Sequence, residues 1–490
     1  MTRRNASHPA RALGWGMLLA LLATGCKPPA VTFPAEPLAA TAAGADYDID
    51  GDGTADFFFL ANAAGRYDRI AYDRDGDGKP DQIVHLDAIR PQRARHLVIV
   101  LDGIPFDVLK AFYQAGHLRL CHPPAELVPP YPVMTDLALE DVFGHTPCDG
   151  FEAKFFRRSA NRLVGGTSEY LAGKNEPFKK IIQYRAPTMT DGLAYLKPRP
   201  YFRKEIHEVK RLWDRRETME TIAYVVSSAA MGSRLGEAGQ TETLRWCERL
   251  MYQAVYETAG LVKVTLLADH GQTNVPCQPA GLRKYLKAKK WRLVQRLRND
   301  RDVALVDFGL VTCAAMSTRR PAELARDLIA SPKVTLASYA DGDAVVVLSR
   351  DGEATIRSAD GKTFEYTPRT GDPLKLADLA KGPADGRAIL KATVAAGHEY
   401  PDALYRLWRA HFALAENPPD VIVSLDDRYY HGSAGFAGAV KMASTHGGLN
   451  RANSTTFIMS SAGKIEGPLR SEDVPDAMRQ LFARPFPLGR

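Results

Sequence analysis

Cysteine is sparse, six in 490 residues, and none stands in the paired short spacing of a thiolate zinc site. Long apolar runs are equally scarce. Beyond residue 23 no run approaches the ~20 apolar residues that a membrane-spanning helix needs, which excludes an internal transmembrane helix. Dense basic clusters are missing too: the formal charge is +7, and it falls to +4 once Arg3, Arg4 and Arg11 are set aside. So mild a balance argues against a nucleic-acid-binding module. What is present is a chain 45% hydrophobic, long enough for one large α/β domain with accessory parts.

The three arginines precede an apolar run over residues 12–23, and A-T-G-C then ends at Cys26. A charged flank, a short apolar stretch and small residues are the grammar of an export signal. L-A-T-G-C resembles a bacterial lipoprotein processing site, at which Cys26 would be lipidated and become the new N-terminus. Residues 1–26 are thus expected as a lipoprotein signal peptide. The mature protein would sit in the bacterial cell envelope, anchored by its N-terminal lipid to the outer membrane or cell surface; plain secretion or an uncleaved anchor is the alternative. Without Cys26 the cysteines are Cys121, Cys148, Cys247, Cys277 and Cys313, an odd set in which at least one stays unpaired within the chain. Residues 27–44, rich in Ala and Pro, suit a flexible tether.

Two copies of one pattern follow, 25 residues apart: D-I-D-G-D-G-T-A-D over residues 48–56 and D-R-D-G-D-G-K-P-D over residues 73–81. Asp48, Asp50, Asp52 and Asp56, and then Asp73, Asp75, Asp77 and Asp81, put carboxylates at loop positions one, three, five and nine, with Gly53 and Gly78 at position six. A hard, oxygen-seeking cation such as Ca²⁺ requires such a set. Position twelve is Phe59 or Val84, so the bidentate glutamate of an EF-hand is absent. The pattern looks more like the calcium loops of thrombospondin type 3 or integrin-type repeats. Residues 45–88 are expected as a small repeat module holding structural Ca²⁺, with a merely acidic turn as the alternative.

The main domain, residues 95–490, is organised around L-V-I-V-L-D-G, residues 97–103, and V-T-L-L-A-D-H-G, residues 264–271. Unbroken apolar runs of this kind read as strands buried on both faces of a parallel sheet. The carboxyl ends of such strands open into a crevice. Asp102, Asp269 and His270 are therefore expected together on one rim, as potential metal ligands. Between the two runs, P-P-Y-P-V-M-T-D brings Thr135 to the start of a helical stretch, residues 136–143. A threonine there can cap the helix, and the same junction offers free N–H groups and a positive dipole end to a phosphate.

The set L-D-G, P-V-M-T-D, A-D-H-G-Q-T and S-T-H-G-G-L, in that order, resembles the alkaline phosphatase superfamily, in its type I phosphodiesterase and nucleotide pyrophosphatase branch. The similarity runs from about residue 95 to the C-terminus. It implies a three-layer α/β/α domain with a mainly parallel central sheet, and metal-dependent hydrolysis of a phosphate ester, a diester rather than a monoester. In that family a threonine or serine nucleophile lies between two metal ions, usually zinc. Carried over by motif, Thr135 is the nucleophile; Asp102, Thr135, Asp269 and His270 hold one Zn²⁺; and His446 belongs to the second ion.

The chain departs from the family at the second ion. Relatives carry a D-x-x-G-H type motif before D-H-G; the corresponding stretch here is residues 224–236, Y-V-V-S-S-A-A-M-G-S-R-L-G. Aligned on Gly232, Ala229 stands for the Asp and Ser233 for the His. Three readings follow: work with one metal; recruitment of Asp426, Asp427 or His431; or loss of catalysis, leaving a surface lipoprotein of the same fold that acts as a binding protein. Phosphonate or sulfate ester chemistry is a weaker variant. Elsewhere, residues 239–259 have helical periodicity, residues 283–301 are a basic run read as a solvated face, and residues 344–366 carry D-G turns of a hairpin. A β-rich insertion is expected at about residues 332–395, with the chain returning to the core at residues 421–425.

Overall fold

The computed structural model describes residues 28–171, 177–215, 218–433 and 441–488; residues 1–26, expected as a signal peptide ending at Cys26, lie outside them. The first unit is a five-stranded antiparallel sheet in sequential order, β1 Ala39–Ala40, β2 Gly44–Tyr47, β3 Phe57–Ala61, β4 Tyr67–Tyr72 and β5 Gln82–His85. Each acidic repeat forms a loop between strands, 48–56 between β2 and β3 and 73–81 between β4 and β5. On β3, Phe57 and Phe59 turn to one face and pack against Tyr47, Tyr67 and Tyr72 and against Tyr252 and Tyr256 of the helix Glu237–Glu257, with Phe59 stacked on Tyr67 and the other rings tilted or edge-on. Burying large rings this way contributes about 1.5–3 kcal/mol each, which locks the small sheet onto the main domain.

Residues 28–44 do not hang free as a tether. Val31 and Phe33 are buried, the N–H groups of Ala30 and Val31 donate to His207 Nδ1, and those of Thr32 and Phe33 donate to Gln253 Oε1. Two apolar side chains among the Ala and Pro residues, with two partner helices offering acceptors, outweigh the composition that suggested flexibility.

The central sheet is built from β6 Arg95–Leu101, β7 Ala125–Val128, β8 Tyr184–Arg185, β9 Glu220–Val225, β10 Val262–Ala268, β11 Thr456–Ser460 and β12 Leu469–Arg470, in the order β8-β9-β6-β10-β11-β7-β12. Only β11 runs against the others. Alternate residues of β6 serve opposite layers. Leu97, Ile99 and Leu101 pack with Leu109 and Phe112 of α1 (Phe106–Gln114) and with the helices Pro198–Arg215 and Glu237–Glu257, while Val98 and Val100 pack with Leu139 and Val142 of α2 (Thr135–Val142) and with Met478 and Phe482 of the helix Val474–Phe482. The architecture is helix, mainly parallel sheet, helix.

The β-rich stretch is larger than expected. The strands Val334–Asp341, Ala344–Ser349, Gly352–Arg357 and Thr363–Gly371 belong to a nine-stranded sheet that also takes in Asp302–Leu305, Cys313–Thr318 and Val421–Leu425. Val421–Leu425 therefore pairs with Cys313–Thr318 and Val334–Asp341, not with the central sheet. An all-apolar run identifies a buried strand without identifying its neighbours. All five described cysteines are free thiols, and no helix among the described residues is long and apolar enough to cross a membrane.

Candidate functional site

The parallel register sets the site. Leu101 of β6 lies beside Ala268 of β10, so the residues that follow, Asp102 and then Asp269 and His270, leave the sheet at one rim. One donor atom from each lies within 4.8 Å of the others, and all three residues are buried. Each carboxylate has one oxygen held by the protein. Asp102 Oδ2 accepts the Tyr224 hydroxyl at 2.5 Å. Asp269 Oδ1 accepts the N–H groups of Gly103 and His270 at 3.0 and 2.8 Å. Gly103 has φ +71°, and a Cβ there would meet Gln272 Oε1 at 2.9 Å, so glycine lets the chain turn back onto Asp269.

The remaining carboxylate oxygens face His270. Its Nε2 is 3.6 Å from Asp102 Oδ1 and 3.5 Å from Asp269 Oδ2. Its Nδ1 lies 2.8 Å from the carbonyl of Gly271; a carbonyl only accepts, so Nδ1 carries the proton and Nε2 presents a lone pair. Burial pushes the imidazole down to about 4 and the Asp269 carboxyl up to about 7. A lone pair and two carboxylate oxygens converging in a buried space is a donor set that fits a divalent cation such as zinc.

Thr135 is the first residue of α2, and its hydroxyl does not cap the helix. It points into the cluster instead, with Oγ1 3.1 Å from His270 Nε2. His446 stacks on His270 with ring centroids 3.8 Å apart, yet it is not among the three residues whose donor atoms converge. Burial and the neighbouring His270 keep it well below the ordinary imidazole range. Its loop is lashed to the Thr135 loop, Nδ1 donating to the Val133 carbonyl at 2.8 Å and the Val133 N–H donating to Gly447 O at 3.1 Å.

Around the expected second ion the groups are neutral. Ala229 lies on the helix Ser227–Leu235. Ser233 Oγ accepts from Gln272 Nε2 at 2.9 Å, and Gln272 Oε1 in turn accepts from Gln240 at 3.3 Å. Asp426, Asp427 and His431 are bonded to other groups. Asp426 pairs with Arg428, Asp427 accepts from Asn450 and Asn453, and His431 Nε2 donates to the Val306 carbonyl.

In the acidic loops, Asp48, Asp50 and Asp56 converge, and so do Asp73, Asp75 and Asp81. Asp52 and Asp77 fall outside these groups; each caps a backbone N–H two residues on, and Asp77 also pairs with Lys79.

A cavity of about 590 Å³ opens beside Thr135, lined among others by Glu152, Lys154, Tyr170, Arg185, Tyr224 and Phe308. Burial raises Glu152 to about 7, where it accepts the Gly309 N–H. Tyr224 lies within the stretch read for missing ligands, but its role comes from register; Arg185, on a two-residue strand, leaves no trace in the sequence pattern.

No family model matches the chain, and no curated protein matches it. Solved structures do match. One is murine ectonucleotide pyrophosphatase/phosphodiesterase 5, at 10% identity over 79% of this chain and 95% of that chain, with a TM-score of 0.42. A likeness of that degree carries no inference about activity, which has to come from the side chains themselves.

Proposed function

We propose that the chain is a metal-dependent phosphoric ester hydrolase of the phosphodiesterase and nucleotide pyrophosphatase type within the alkaline phosphatase superfamily, with Thr135 as nucleophile. The observation that carries this reading is the Thr135 hydroxyl, at the start of α2 and 3.1 Å from His270 Nε2, aimed into the Asp102, Asp269 and His270 cluster beside the cavity. His270 alone is no base for this hydroxyl: burial holds its imidazole near 4, so at neutral pH it gains protons poorly. A divalent cation, Zn²⁺ by the nitrogen and oxygen donor set, would supply a lowered hydroxyl pKa and positive charge at the reacting centre. Tyr224 fixes the Asp102 carboxylate, Gly103 and His270 N–H groups fix Asp269, and the first turn of α2 offers N–H groups to a phosphoryl oxygen.

The neutral Ser233, Gln272 and Gln240 groups favour one cation over two and a diester over a monoester. A diester brings one negative charge to the site and a monoester brings up to two. Carboxylates already crowd the centre, so the smaller charge is the easier to accommodate. The same neutrality favours the second reading, a binding protein of this fold without turnover. Thr135→Ala decides: it removes hydrolysis of a chromogenic diester while the fold persists, whereas wild-type protein inert toward mono- and diesters across divalent metals leaves the binding role.

We also propose that both acidic loops hold structural Ca²⁺, on the strength of the matched carboxylate triplets. Export and lipidation at Cys26 rest on the L-A-T-G-C pattern.

A further inference from the structure

We propose that the outer face of two adjacent helices, α3 (Pro198–Arg215) and α4 (Glu237–Glu257), rests on anionic phospholipid headgroups, so that the lipid at Cys26 holds the body in one orientation. The inference rests on the lipidation reading above. Its basis is how residues 28–33 are held. Arg211 Nη2 donates to Pro28 O at 2.5 Å, and His207 Nδ1 accepts the N–H groups of Ala30 and Val31. Gln253 Nε2 donates to Ala30 O at 3.1 Å, and Arg249 Nη2 donates to Phe33 O at 2.6 Å. All four partners lie on α3 or α4, so the segment is bound across both helices. A lipid on Cys26 joins the chain two residues before Pro28, within about 7 Å even at full extension. An anchor that close brings the neighbouring face to the bilayer surface.

The chemistry of that face suits such a surface. Arg199, Arg203, His207 and Arg211 recur at every fourth residue of α3, so the helix gathers into one stripe cations that are spread out along the sequence. Trp246 of α4 lies beside the stripe. The guanidinium carbons of Arg203 and Arg249 stand 5.7 and 4.6 Å from its ring centroid, and the His207 ring meets it edge-on at 5.7 Å. The acids here are already engaged: Glu242 pairs with Arg199 and Arg203, Glu208 with Arg211, and Asp214 and Glu257 with Lys210. Lys204 and Arg245 are exposed, and Arg249 serves a neutral carbonyl. The surplus is felt inside the face, where burial and then Arg211, Arg249 and Arg203 hold His207 below the ordinary imidazole range. An anionic leaflet attracts Lys and Arg near its surface, Trp is enriched at headgroup level, and a lipid chain with a basic patch is a pair of signals that gives stable attachment. Leu139 and Val142 of α2 pack on the opposite side of the central sheet from α3 and α4, so the Thr135 layer faces away from the bilayer.

The experiment uses the full chain purified from a bacterial host, with its N-terminus read by mass spectrometry. The protein is bound to vesicles of pure phosphatidylcholine or of equimolar phosphatidylcholine and phosphatidylglycerol, and lysine acetylation is compared with that in detergent. On the mixed vesicles Lys204 is expected to react about tenfold more slowly or less, while Lys287 and Lys362, exposed at the nine-stranded sheet, keep their detergent rates. High salt returns Lys204 toward the detergent rate. The variant Arg203→Glu, Arg245→Glu keeps the wild-type Tm and lowers the protection of Lys204 by about tenfold or more. The wild-type comparison between the two vesicle types decides even without that variant. Lipidated protein whose Lys204 reacts on mixed vesicles as it does in detergent overturns the inference and leaves the lipidation reading standing. Protection that is equal on both vesicle types overturns it as well, and so does protection already present in detergent with the mass of a dimer, which gives the face to a second copy. An unmodified Cys26 with salt-sensitive protection on mixed vesicles sustains the lipid-binding face and removes the lipidation reading. An unmodified Cys26 without protection removes both.

Discussion

His270 and His446 lie with ring centroids 3.8 Å apart and planes inclined by 21°, and each turns its Nδ1–H onto a backbone carbonyl, of Gly271 and of Val133 respectively. The hydrogen bonds fix the tautomers, so both rings present Nε2 as a lone pair. His446 arrives through a loop that also accepts the Val133 N–H, which ties the distant S-T-H-G-G segment to the loop bearing Thr135.

One transition-metal ion per chain is the expected stoichiometry, held by Asp102, Asp269 and His270. Elemental analysis of the purified protein reads it directly. Asp269→Asn is expected to abolish retention of that ion and, with it, turnover by about 10³-fold or more, while bound calcium is unchanged. Retention of the ion by Asp269→Asn would remove the cluster from consideration as a metal centre.

Tyr224→Phe deletes the hydroxyl that Asp102 Oδ2 accepts at 2.5 Å and nothing else in the side chain. Loss of such an outer partner typically costs 10–100-fold in metal affinity. Competition with a chelator of known affinity measures the change; an affinity equal to wild type would show that Asp102 is oriented without it.

Gly447→Ala tests the lashing of the two loops. Gly447 has φ +129°, and a Cβ there would meet Thr312 N and Val311 Cβ at 3.0 Å. Strain of this kind costs about 1–3 kcal/mol, so a lowered Tm and displacement of the neighbouring His446 are expected. The ring position is read by the His446 imidazole resonances.

Acid should destabilise the fold through buried neutral imidazoles. His411, bonded to Ser338 Oγ at 2.9 Å, is pushed by burial from 6.5 down to about 3. Its folded-state pKa is depressed, so the stabilisation is fully present above pH 6.5 and is lost as pH falls from there toward 3. Across that window the unfolded chain binds the proton and the folded chain does not, at up to ~1.4 kcal/mol per pH unit for one such group. The Tm of wild type should fall with acid in this range, and His411→Gln should flatten the slope.

Calcium should raise the Tm, by about 2.7 kcal/mol of stability per site at a hundredfold excess over the dissociation constant. The combined variant Asp48→Asn, Asp73→Asn should lose the response. Asp48 accepts two N–H groups from its own loop and Asp73 three, so a denaturant curve without calcium separates the loss of cation from the loss of the turn.

Much of this was legible in the chain itself. Residues 97–101 and 264–268 are apolar without interruption because both faces of β6 and β10 are covered, and that pattern alone put Asp102, Asp269 and His270 on a common rim. The aspartate repeats announced their loops because a turn of that kind is written in consecutive residues. Helices expected at residues 136–143 and 239–259 lie at Thr135–Val142 and Glu237–Glu257, each displaced by one or two residues.

Other features came only from folding. Val421–Leu425 has the composition of a central strand but found its partners in the second sheet, since hydrogen-bonding edges do not depend on side-chain identity. The stretch after residue 27 read as a tether because a single buried Phe33 carries no local signal; its value lies in the aromatic face that the five-stranded sheet and Tyr252 present. Tyr224 and Arg185 reach the site through strand register, a relation between segments. Sequence determines what each segment is able to bury and which chemistry it carries, because those are properties of neighbouring residues. Which hydroxyl reaches which carboxylate was decided by the sheet order β8-β9-β6-β10, since only the packed strands bring those segments within a hydrogen bond of one another.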